Sequence, residues 1–302
     1  MLLTDPAFKP HLNRVNVVFH PFTNPDGAQL AYDLYKITPD HMLHPGYLGP
    51  LGVSLVSRTD PDPMYPESGI RPKLWRTWLP DIFLNPHGYA SHEWVQLFSE
   101  YVPWIRNRVS EARGWWGMRG WFIPGFNYLD DPKYPRHKDA AFHIRDLITQ
   151  NMNAVPQIKA FNDQAYARYM KYSFAFDDEN FKVDFTNGVL IYTAIKGARA
   201  SGAGAAGGGR GGGGGDDYMT RQPNITIFFG STEAPDETAY GDWMKLVATM
   251  GLQWDKALLQ SILDGKHVVD RKSASFFGGV TLSLDRPRPP KATESTKSTE
   301  SR

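Results

Sequence analysis

The sequence contains no cysteine, so it can hold neither a disulfide nor a thiolate metal ligand. Any metal must be held by histidine and carboxylate. Charge of one sign is not in surplus either: 33 Lys and Arg stand against 32 Asp and Glu. That balance removes the electrostatic drive on which a phosphate-neutralising nucleic-acid binder or a membrane-surface protein depends. Long apolar runs are also missing. No stretch approaches the ~20 residues needed to span a bilayer, and the opening MLLTDPAFKP lacks the basic, apolar and small-residue order of a signal peptide. The sequence therefore carries no readable address, and its compartment is not encoded in it.

What is present is material for a globular body. The 302 residues include 13% aromatics and nine Trp, enough apolar surface for a sizeable core. Two segments fall outside that body. Residues 198–217, ARASGAGAAGGGRGGGGGDD, bury nothing and lose the most entropy on ordering, which predicts a flexible insert. Residues 286–302 form a polar, low-complexity tail expected to be disordered. The remaining domain is 1–285. A single arginine, Arg210, in the glycine run is too few to argue for RNA binding.

Along this domain, strands and helices alternate. RVNVVF (14–19) is β-branched and nearly all apolar, which predicts a strand buried on both faces. NPDG (24–27) breaks it, and Asp26 is placed to cap a helix carrying Leu30, Leu34 and Ile37. Residues 38–72 are rich in Pro, Gly and Asp and predict a long loop. LPDIFL supplies a second strand ending at Asn85-Pro86, followed by a helix capped by Ser91. Residues 114–139 look irregular, with a Trp-rich GWWGMRGWF suited to core or lid packing. Helix is expected over 141–171 with a break near Pro156. VLIYTAI (189–195) is strand-like. ITIFFGSTEAPDETAYGDWMKLVATMG (225–251) predicts a strand, a turn holding Glu233 and a helix stopped by Gly251, with another helix over 253–263 and a last strand, GVTLSL. Three expected strands thus end in polar loops carrying Asn24, His87 and Glu233. Open α/β sheets place their ligand sites beyond the carboxyl ends of strands.

Four pieces in order, VVFHPFTNPDG (17–27), YPES (65–68), DIFLNPHGY (81–89) and ITIFFGSTEAP (225–235), resemble the zinc metallocarboxypeptidase family, carboxypeptidase A-like. The resemblance covers roughly 1–95 and 220–265. It implies an α/β fold, a mixed central sheet flanked by helices (carboxypeptidase-like α/β/α), and hydrolysis of a peptide or amide near a C-terminus. By the family's pattern His87 matches a zinc ligand, between a rigid Pro86 and a permissive Gly88. Glu233 matches the general base that deprotonates zinc-bound water, with Glu237 as competitor. Arg58 stands within one position of the arginine that grips the substrate carboxylate, although LVSRT replaces the family's Asn-Arg pair.

The family's other two zinc ligands form a His-x-x-Glu upstream of NPDG. Here only 23 residues precede Asn24; they hold His11 and His20, and no His-x-x-Glu occurs anywhere in the sequence. The nearest patterns, HIRD (143–146) and HVVD (267–270), lie outside the family's order. His41 and His44 have ligand-like spacing, but Pro45 argues for loop positions; His92 and Glu93 suit a helix start. The expectation is a domain whose first strands are missing, acting as a zinc carboxypeptidase. The alternatives are an inactive remnant or peptide-binding pseudoenzyme without metal, or a sequence that starts short of the true first residue.

Overall fold

The computed structural model of the chain describes residues 4, 6, 8–38, 66–86, 123–172, 184–196, 216–234, 241–266, 274–275 and 281–282. Helix α1 (Lys9–Leu12) is one turn, and α2 (Pro25–Ile37) is three. Asn24, not Asp26, caps α2. Its side chain accepts from the Gly27 N–H at 2.8 Å, and Pro25 occupies the first helical position, where a missing N–H costs nothing. Asp26 sits in the first turn, where its charge favours the helix dipole.

The predicted strand over 14–19 does not form; residues 15–20 carry no regular structure. β-Branched residues favour a strand only when a neighbouring strand completes the ladder, and none pairs with this segment among the described residues. Val15 is buried beside Phe8 and Leu259, while Val17, Val18 and Phe19 face solvent.

Helix α3 (Pro66–Trp78) replaces the end of the predicted loop, despite Pro72 in its interior. Trp75 holds it in place, fully buried and stacked on Tyr218 at 4.8 Å. Leu79 then turns the chain in the left-handed region at φ 44° and leads into β1 (Ile82–Pro86).

β2 (Ile123–Leu129) lies in a stretch expected to be irregular. α4 (Pro135–Asn153) and α5 (Pro156–Tyr172) follow, broken near Pro156 as the sequence predicts. β3 (Asp184–Thr186) and β4 (Val189–Lys196) form a hairpin through Asn187 and Gly188 at φ 51° and 75°. Those are the positive angles that a two-residue Asn-Gly turn demands. α6 (Asp216–Arg221) takes in the last two residues of the segment expected to be a flexible insert. β5 (Phe228–Glu233) and α7 (Gly241–Leu263) complete the main body, and a two-residue pair, β6 (Ala274–Ser275) and β7 (Thr281–Leu282), stands apart.

The sheet order is β1-β5-β2-β4-β3. β1 and β5 are parallel, as are β2 and β4; β2 runs antiparallel to β5 and β3 to β4. The fold is therefore mixed α/β, with helices on both faces. On one face α4 and α7 bury Ile144, Ile148, Met152, Met250, Trp254 and Ala257 against Phe228 and Ile227. On the other, Tyr218 of α6 meets Phe83 of β1, which in turn meets Phe229 of β5. Among the described residues no helix is long and apolar enough to cross a membrane.

α7 is one continuous helix of 23 residues, so Gly251 does not stop it. The buried stripe Met250, Trp254, Ala257, Leu258 and Ser261 keeps helical spacing across the glycine, and that packing outweighs glycine's preference for helix ends. A Cβ at Gly251 would meet nothing within 4 Å, whereas one at Gly230 would lie 2.8 Å from the Phe228 ring and 3.1 Å from Trp254. Both of those rings are wholly buried and have nowhere to go. Gly251→Ala should therefore stabilise by about 0.5–1 kcal/mol, and Gly230→Ala should destabilise by about 1–3 kcal/mol. Denaturant unfolding of the two variants reads both signs.

Buried His137 and half-buried Asp255 give stability opposite pH slopes. His137, at the start of α4, lies with Nε2 2.9 Å from the Pro223 carbonyl oxygen, and its Nδ1 has no partner among the described residues. Burial holds its pKa below the usual 6.5 despite that hydrogen bond and nearby Asp131; burial and then Arg71 do the same for His20. Their stabilisation is fully present above 6.5 and is lost as pH falls below it. Burial pushes the Asp255 carboxyl of α7 up to about 6, so its contribution is present at low pH and is lost as pH rises toward and past 6. Asp255→Asn should therefore be more stable than the parent at pH 7.5, by roughly 1–3 kcal/mol. At pH 4.5 the gap should shrink to about a third of that, and between 7.5 and 5.5 the variant should lose stability more steeply. Unfolding curves at the three pH values test this.

Candidate functional site

β1 and β5 are adjacent and parallel, so both strands deliver their carboxyl ends to the same edge of the sheet. The register pairs Leu84 with Gly230, Asn85 with Ser231 and Pro86 with Thr232. Pro86 is the last described residue before His87, and Thr232 is the last before Glu233. The backbone of Glu233 also stands opposite Ile123, where β2 begins. Glu233 is thus the final residue of a strand with neighbours on both sides, rather than part of a turn as the sequence suggested.

A hydrogen-bond relay at the other end of the two strands sets this register. Trp75 Nε1 of α3 donates to Thr226 Oγ1 at 2.9 Å, and Thr226 Oγ1 donates to the Pro80 carbonyl at 2.8 Å. The Ile227 N–H donates to the Asp81 carbonyl at 2.8 Å. Thr226 is fully buried, so these bonds are made away from competing water. One hydroxyl therefore ties the entry to β5 to both the entry to β1 and the helix before it. A one-residue slip of β5 would break all three bonds and invert its side-chain faces.

Of the residues predicted to carry the chemistry, the structure places the backbone of Glu233. His87 and Arg58 lie outside the described residues, as do His41, His44, His92, Glu93, Glu237 and the Trp-rich segment; the close approach expected between the side chains of His87 and Glu233 falls there too. Asn24 is accounted for by helix capping. His143 and Asp146, the HIRD pair, do not act together. The His143 Nε2 lies 2.7 Å from Asp264 Oδ2 past the end of α7, while Asp146 accepts from Arg145 at 3.0 Å. These contacts tie two helices and one helix turn together.

Sequence reasoning passed over two charged groups near β1. Arg71 of α3 is half-buried with its guanidinium 5.4 Å from the Phe83 ring centroid, and desolvation lowers its pKa while Tyr218 raises it. His20 lies within its electrostatic reach. Asp255 of α7 is the other. An arginine in GIRPK and an aspartate in an apolar helix face were visible in sequence, but only tertiary packing reveals that they are partly withdrawn from water.

A zinc ion normally takes three protein ligands at a catalytic site. The resemblance noted in the sequence offers one candidate here, His87, which lies outside the described residues. Among the described residues no group of three or more His, Asp and Glu converges to hold a metal. The described residues do not by themselves complete a zinc site.

Replacing Thr226 by Val keeps the side-chain volume and removes both side-chain hydrogen bonds of the relay. The expected loss is about 1–3 kcal/mol, with faster amide exchange at Leu84 and Asn85; Thr226→Ser should restore most of both. Hydrogen exchange on the three proteins reads the result. No protein-family model, no curated protein and no solved structure matches this chain.

Proposed function

We propose that the chain is a carboxypeptidase-like hydrolase domain of zinc-dependent ancestry, with a carboxypeptidase-like α/β/α architecture, acting on a peptide or amide bond near a free C-terminus. The observation that supports this most is the parallel, in-register pairing of β1 and β5, which takes the two strands that carry NPHG and GSTE to one sheet edge. A site built there can draw on both loops at once.

In this proposal each residue has a separate task. Arg58 pairs its guanidinium with the terminal carboxylate of the substrate, which fixes the scissile bond relative to the strand ends. Glu233 accepts the proton of the attacking water and passes it to the leaving amine, so that neither hydroxide nor an amide anion is released. His87 offers a neutral imidazole nitrogen to a metal. A zinc ion bound there would supply Lewis acidity for the scissile carbonyl and its attacking water.

A second reading follows from the shortage of donors: the chain is a peptide-binding pseudoenzyme, or inactive remnant, without metal. The sequence has no His-x-x-Glu, and one histidine cannot hold zinc firmly. The two readings diverge in one assay. The purified chain is dialysed against zinc, analysed for metal and offered peptides with free or amidated C-termini. The hydrolase reading expects bound zinc and release of the last residue from the free peptide alone. Glu233→Gln should then lower kcat by about a hundredfold or more, and His87→Ala should lose the zinc. No zinc and no hydrolysis, with saturable binding of the free peptide that Arg58→Gln weakens, would replace it with the pseudoenzyme.

A further inference from the structure

Behind β1, on the face toward α7, lies a cavity of about 200 Å3. Its walls include Leu84 and Pro86 of β1, Gly251 and Leu252 of α7, and Phe19 from the irregular segment. One ionisable group lines it, Asp255. Among the described residues Asp255 has no hydrogen bond and no ion pair, and burial is the cause of its raised pKa. Its neighbour Lys256 sits over the Phe8 ring at 5.6 Å, and Lys245 is paired with Asp242 at 2.7 Å.

A lone carboxylate in an apolar wall is an unfavourable arrangement by itself, because it gives up hydration without receiving a partner. A ligand that supplies a cation and apolar surface together would satisfy both parts of the wall. The volume suits a ligand of about six or seven heavy atoms, taking ~30 Å3 for each water-sized group. We propose that this cavity binds a small primary alkylammonium, its –NH3+ on the Asp255 carboxylate and its chain against Leu84, Pro86, Leu252 and Phe19. The proposal stands on the cavity and its single acid, and does not depend on the hydrolase reading.

The geometry also provides its own controls. A side chain at Gly251 starts with nothing within 4 Å of its Cβ, so Gly251→Leu can occupy the cavity without disturbing the backbone. Asp255→Asn keeps the shape and removes the charge. The probes are n-pentylammonium and its neutral isostere 1-pentanol, titrated into the full chain by calorimetry at pH 7.5. The ammonium should bind saturably and at least about tenfold more tightly than the alcohol, the factor expected for a hydrogen bond to a charged group. Asp255→Asn should bring the two probes to equal, weak binding, and Gly251→Leu should abolish both. Circular dichroism of the two variants confirms their folding, and either variant alone suffices if the other misfolds. Equal affinity of the parent for both probes, ammonium binding that survives Asp255→Asn, or no saturable binding up to the solubility limit would each overturn the proposal.

Discussion

The Thr226 hydroxyl is the point on which the described body turns. It accepts from Trp75 and donates to Pro80, joining a helix and two strand entries. Because β1 and β5 are parallel, no short hairpin can align them; alignment has to come from tertiary contacts at their ends. The buried relay and the Ile227 to Asp81 bond provide it. The stack of Trp75 on Tyr218 then carries α6 onto the same face, where Phe83 and Phe229 complete the layer. On the opposite face Trp254 lies over Gly230, a glycine whose lack of a side chain allows α7 to approach. Register, layer spacing and the placement of the two strand ends are therefore linked.

The functional consequence is topological. Pro86 and Thr232, far apart in sequence, end neighbouring parallel strands side by side, so the chain leaves both strands from adjacent positions. That juxtaposition is a property of the backbone and would serve catalysis or peptide binding equally. What separates the two is the donor set. The proposed hydrolase needs His87 and two further donors on one metal, whereas a peptide-binding site needs none. Asp255, by contrast, belongs to neither role, and its cavity is walled by the helix that packs behind β1.

Much of the fold was legible where local pattern and tertiary role agree. LPDIFL and VLIYTAI are apolar runs that fill strands of the sheet, and Pro156 breaks a helix because its ring cannot continue one. The failures have specific causes. Ile123–Leu129 includes Pro124, Gly125 and Asn127, a poor strand by propensity, yet it is held between β4 and β5 by ladders on both sides. Residues 66–72 read as the end of a loop because of Pro66, Gly69 and Pro72, and become the start of a helix whose Trp75 is anchored from outside it. RVNVVF has the composition of a strand but no ladder to join among the described residues. Of the candidate site, the strand leading to Glu233 and the strand leading to Asn85-Pro86 were legible in the sequence. It could not reveal the partial burial of Arg71 or Asp255, since burial depends on elements distant in the chain.

The central claim is that the residues after β1 and at the end of β5 form one site. The cysteine-free sequence allows a direct measurement: His87→Cys and Glu233→Cys are combined, both thiols are spin-labelled, and the electron paramagnetic resonance spectrum is compared with those of the two single variants. Labels leaving adjacent strands, whose backbones are about 5 Å apart, should broaden each other's spectra strongly. A double-label spectrum equal to the sum of the singles would place the two residues apart and contradict the account.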